Sequence, residues 1–113
     1  MAITVTTQAP DALLQNIKKA IKEKRVDTWE CDTDGDFTHC PEQWYKKAWL
    51  RPSSGIGVLT FSLLGPQNRK VEKAIYGVYH GRFIEMLLTH FSDQFSRASA
   101  SAKKEGSDNF DPA

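Results

Sequence analysis

The spacing of apolar residues changes twice along the chain, and this constrains the fold more than any other feature. Between Val26 and Leu64 large apolar side chains tend to fall on alternate positions. Over residues 10–25 and again over 81–95 they recur every three or four. A period of two belongs to strands with one face buried, and a period near 3.6 to helices with an apolar stripe. The chain therefore reads as a sheet bracketed by helices.

The first helix is expected over residues 10–25. Pro10 suits the first helical position, and Asp11 places a carboxylate at the positive end of the dipole. Leu13, Leu14, Ile17, Ala20 and Ile21 form the stripe, flanked by Lys18, Lys19, Lys22, Lys24 and Arg25. A short strand through Ile3, Val5 and Thr7 precedes it. The second helix is expected over 81–95, where Phe83, Ile84, Leu87, Leu88, Phe91 and Phe95 make a wide apolar arc.

In the middle, Asp34-Gly35 sits inside an alternating run, the strongest short signal for a hairpin. A two-residue turn there sets Trp29 opposite Cys40 and Glu30 opposite His39, so that His39 and Trp29 face opposite ways. A longer loop shifts this register. Residues 47–51 and 58–64 read as strands separated by a Pro52-to-Gly55 turn. Residues 71–79 are ambiguous: residues 71–74 tolerate a helix, Ile75, Tyr76, Val78 and Tyr79 favour a strand, and Gly77 weakens both, so a strand is the expectation. The fold class is thus α+β: a mostly antiparallel sheet of four or five strands, with an N-terminal and a C-terminal helix packed on it.

At 113 residues the chain offers apolar surface for one core. The domain is placed at 1–97. Residues 96–109 lack a large apolar side chain, so 98–113 is expected to be a flexible tail. No run approaches the roughly 20 apolar residues that span a bilayer, and the N-terminus has no leader pattern. With only Cys31 and Cys40 available, no disulfide framework is possible. A cytoplasmic setting without membrane contact follows as the expectation.

Net charge is +1, but it is segregated. Five basic residues stand against two acidic ones in 1–25, six acidic groups with no Lys or Arg occupy 26–45, and basic residues dominate again in 46–82. The acidic block contains Asp32, Asp34 and Asp36, the opening rhythm of a calcium loop. Phe37 stands where such a loop needs glycine, and Gln43 where it needs a bidentate Glu. An acidic hairpin tip is the plainer reading. Cys31, His39 and Cys40 are soft ligands at a spacing that is not one of the usual zinc patterns.

No phosphate loop, dinucleotide fingerprint, nucleophile elbow or metalloprotease helix occurs, so no catalytic residue, cofactor or metal is assigned. The reading ranked first is a small non-catalytic binding or regulatory module working through protein contacts. Its candidate residues are Trp29, Asp32, Asp34, Asp36, Phe37, Trp44 and Trp49, tryptophan being enriched where proteins meet. Self-association through exposed aromatics belongs to the same reading. Second is a nucleic-acid binder using Lys18, Lys19, Lys22 and Arg25 on the first helix. A metal- or thiol-dependent enzyme is third.

The segments 28–44 (TWECDTDGDFTHCPEQW), 48–52 (AWLRP) and 76–91 (YGVYHGRFIEMLLTHF) together resemble a group of short bacterial proteins of uncharacterised role. The resemblance implies a bacterial cytosolic protein of this layout. It brings no site residues.

Overall fold

The computed structural model describes residues 2–113. Strand β1 (Ala2–Thr6) leads into helix α1 (Pro10–Lys22), followed by β2 (Trp29–Cys31), β3 (Phe37–His39), β4 (Trp49–Gly55), β5 (Val58–Leu64) and β6 (Lys70–Val71). Helix α2 (Lys73–Phe91) comes next, closed by a single 3₁₀ turn, and then β7 (Arg97–Ala100) and β8 (Asp111–Pro112). Six strands form one sheet in the order β2-β3-β4-β5-β1-β7. Every neighbouring pair in it is antiparallel, so the α+β class holds, but the sheet is one strand wider than the upper expectation, and the second helix ends at Phe91 rather than 95 and is followed by two strands instead of closing the fold.

Alternation along the strands divides the sheet into two faces. Ile3, Val5, Leu50, Leu59, Phe61 and Leu63 point into the core, where they meet Leu13, Ile17 and Ala20 of α1 and Tyr79, Phe83, Leu87 and Phe91 of α2. Thr4, Thr6, Arg51 and Ser53 on the opposite face are exposed. The molecule is therefore a helix layer on a sheet whose second face is polar. Among the described residues, no helix is long and apolar enough to cross a membrane.

Helix α1 starts as its sequence dictates, with Pro10 in the first turn, Asp11 beside it and Lys19 and Lys22 in the last turn. Lys24, in the left-handed region at φ 61°, turns the chain out of the helix three residues early.

Three local expectations are corrected. Residues 73–79 are helical, not a strand, because Tyr79, Phe83, Leu87 and Phe91 lie four apart and one continuous stripe buries all of them. Ile75 and Tyr76 extend the same stripe as half-buried partners of the core. Single-residue β preference loses to this shared burial. Second, Pro52 does not open a turn; β4 runs through it to Gly55. Strand β3 reaches β4 only at the Phe37–Leu50 pair, so Pro52 lies where β4 has a neighbour on one side alone. A residue without N–H is tolerated there.

Third, the β2–β3 register slips by one: Trp29 pairs with His39, Glu30 with Thr38 and Cys31 with Phe37. The turn carries an extra residue. Gly35 N–H donates to the Asp32 carbonyl at 3.0 Å, Asp32 N–H donates to the Asp36 carbonyl at 2.9 Å, and Gly35 sits at φ 86°. This is a type I turn followed by a left-handed glycine bulge. A side chain here would need the same unfavourable φ, so Gly35 is required by backbone geometry. His39 consequently shares a face with Trp29.

The segment from about Ala98, expected to hang free, instead folds back. Strand β7 pairs with β1, and the chain then returns so that Asn109 N–H donates to the Leu63 carbonyl at 2.9 Å. Asp108 accepts from Leu63 N–H at 2.7 Å and from Glu105 N–H at 2.7 Å. Phe110, one residue beyond the apolar-poor stretch, is the anchor; it is 6% exposed. A Cβ on Gly65 would stand 2.7 Å from the Phe110 Cβ and from a Val71 methyl, so this docking needs glycine at 65.

Candidate functional site

The residues singled out in the sequence part company in three dimensions. Trp29 and Phe37 are core residues, at 2% and 0% exposure, stacked edge-on or tilted against Phe83. They offer no surface to a partner. Trp44 is half-buried against the core, and its carbonyl accepts the Tyr79 hydroxyl. Trp49 is half-buried on the outer sheet face opposite Leu64.

The acidic tip is wired into the fold. Asp32 Oδ1 accepts from the Asp34 and Asp36 N–H groups at 2.9 and 3.0 Å. Asp36 is buried, and both its oxygens take hydrogen bonds from the Arg51 guanidinium, at 2.9 and 2.8 Å. The fork geometry of arginine suits a bidentate carboxylate pair of this kind. The three carboxylates approach within 4.8 Å of one another, but Arg51 already supplies the positive charge at the buried one. Asp34, at the tip of the turn, is exposed.

The basic helix is likewise divided. Lys18 is half-buried, and its ammonium lies 3.7 Å from where a Cβ on Gly35 would stand, so it reaches toward the acidic tip. Arg25 donates to Glu23 at 2.7 Å. Lys19 and Lys22 are exposed and have no ion pair among the described residues.

Both thiols are free. Burial raises the pKa of Cys31 and of Cys40, and for Cys40 the nearby Glu30 and Asp27 push the same way. Each is held as the neutral thiol, the less nucleophilic form.

A coherent surface does arise at the free edge of β2. Glu30 lies on that edge strand, and the loop after Cys40 makes one helical turn, with Trp44 and Tyr45 N–H groups donating to the Pro41 carbonyl at 2.8 and 3.0 Å. This turn brings Tyr45 beside Glu30, whose carboxylate oxygens accept the phenol at 3.2 and 3.3 Å. Tyr45 is 37% exposed, with Lys46 over its ring at 5.3 Å from the centroid. Desolvation, then Glu30, raises the Tyr45 pKa, so the hydroxyl stays a donor. Tyr45 was visible in the sequence as one aromatic among many, but its pairing with Glu30 depends on the 41–47 loop folding over β2.

His39 was weighed in the sequence with the cysteines and emerges elsewhere. Its ring lies on Trp29 with centroids 4.4 Å apart, and its Nδ1 is 2.8 Å from the Thr28 carbonyl. Burial lowers its pKa, outweighing the Thr28 hydrogen bond. A groove of about 540 Å³ lies elsewhere, between the start of α1 and the 93–96 segment. No family model, curated protein or solved structure matches the chain.

Proposed function

We propose that the chain is a small non-catalytic binding module that works through contact with a protein, using an acidic-aromatic rim along the free edge of β2. The observation that carries this reading is the exposed Tyr45 ring fixed by the Glu30 carboxylate. A side chain already held in place loses little entropy on binding, and aromatic side chains contribute disproportionately to contact energy. Glu30 sets a carboxylate beside the ring, so the partner presents a basic side chain to it.

The reading narrows the set expected from sequence. Asp34 remains at the tip and Trp44 beside the loop, whereas Trp29 and Phe37 act as the packed base beneath. Two free thiols fit the reducing cytosol expected of such a module.

A photo-crosslinking amino acid placed at Tyr45 in the native host, with Ser53 on the outer sheet face as control, tests it. The expected result is one dominant protein adduct from position 45, lost on Glu30→Lys and absent from position 53. Adducts to nucleic acid, or equal labelling from both positions, would overturn the reading. An adduct to a second copy of the chain would make the partner itself.

A further inference from the structure

Among the described residues one buried side-chain polar atom lacks a hydrogen-bond partner: Nε2 of His39. The residue is 2% exposed, and Nε2 itself is buried. A carbonyl can only accept, so the 2.8 Å contact with Thr28 puts the proton of the neutral ring on Nδ1. Nε2 is then a bare lone pair that needs a donor. Buried polar atoms left unpaired are uncommon and call for an explanation.

His39 forms part of the wall of a cleft of about 220 Å³ between the 26–29 segment and the last turns of α2. Trp29, Val26 and Met86 supply apolar wall. Arg82, Glu85, Thr89 and His90 come from α2, and Asp27 from the opposite lip. Charges of both signs thus face one small space. Neither Arg82 nor Glu85 has an ion-pair partner among the described residues, although they stand three apart on the same helix. Both line the same cleft as His39.

We propose that this cleft binds a small zwitterion of the α-amino-acid class, its ammonium donating to His39 Nε2 and facing Glu85 and Asp27, its carboxylate facing Arg82. A ligand carrying both charges satisfies the lone pair, the anions and the cation at once. A singly charged ligand leaves one of them unmatched. The volume equals that of about seven waters in the liquid, which suits a compact amino acid better than a nucleotide. A metal ion fits less well: among the described residues only Asp32, Asp34 and Asp36 bring three such ligand atoms close together, and none of them lines this cleft.

The site is separate from the Tyr45 rim, and neither Tyr45 nor Glu30 lines it. Its test is titration of the full chain with the common small amino acids by calorimetry, alongside ¹⁵N-histidine spectra that report His39 Nε2 directly. N-acetylated and amidated forms of the same compounds serve as controls. Expected are saturable binding that moves the Nε2 resonance, loss of binding when either charged group is blocked, and weakening by about tenfold or more for Arg82→Gln or Glu85→Gln. Both positions are exposed on α2, so these variants keep the fold, which circular dichroism verifies. The proposal is overturned if no amino acid moves the resonance, if the blocked compounds bind as well, if both variants bind unchanged, or if Zn²⁺ alone moves the resonance where amino acids do not.

Discussion

Helix α2 contains Gly77 and Gly81 in its exposed interior, and replacing them gives the sharpest test of the fold. A Cβ at either position meets nothing within 4 Å, so alanine adds no clash. Alanine gains about 0.8–1 kcal/mol over glycine at a helix interior, mostly by restricting the unfolded chain. The two substitutions together should raise stability by about 1.5–2 kcal/mol, and Tm by roughly 4–8 °C per kcal/mol in a domain approaching this size. Alanine also outperforms glycine in a strand, so the gain alone does not identify the helix. The comparison that does is Gly77→Val. In a helix valine falls about 0.5 kcal/mol below alanine through lost rotamer freedom, whereas in a strand it ranks above. Urea denaturation of Gly77→Ala and Gly77→Val, with equal m-values, measures the difference. Valine equal to or better than alanine would refute the helical assignment of 73–79 and the continuous stripe on which the core argument rests.

Phe110→Ala should cost about 3 kcal/mol in the same assay, since it removes the buried anchor of the C-terminal segment; no loss would mean that the segment does not dock. Gly65→Ala should cost about 1–3 kcal/mol by forcing Phe110 and Val71 apart, and the loss should shrink in the Phe110→Ala background. Arg51→Gln leaves the Asp36 carboxylate buried without its cation and should cost about 1–2 kcal/mol, discounted because Arg51 itself is largely exposed. For His39 the folded pKa lies below the ordinary value near 6.5. The unfolded chain then binds the extra proton first, so stability is fully present above about 6.5 and falls as pH drops toward the folded pKa. Denaturation midpoints between pH 7 and 5 should show this loss, and a His39→Phe variant that remains folded should lose the part of the slope due to this ring.

How much of this could be read from the chain alone varies with the range of the forces involved. Pro10, Asp11 and the Leu13/Ile17/Ala20 spacing determine α1 by local means, and the Leu59/Phe61/Leu63 alternation does the same for β5. Asp34-Gly35 announces a hairpin, because glycine alone accepts its backbone angle without strain. The register of that hairpin was not legible: whether two or three residues make the loop is decided by which side chains the core accepts, and Trp29, Phe37 and His39 together on the inner face settle it.

The same holds at the site. Composition revealed an acidic block and seven notable candidates, but burial sorted them, taking Trp29 and Phe37 inside and pairing Asp36 with Arg51 from a distant strand. Glu30, Tyr45 and the His39 cleft acquire meaning only from neighbours remote in sequence. Local pattern specifies which elements form, since it acts through backbone geometry within a few residues. Burial and pairing are properties of the assembled layers, and only the tertiary structure assigns each side chain to core, rim or cleft.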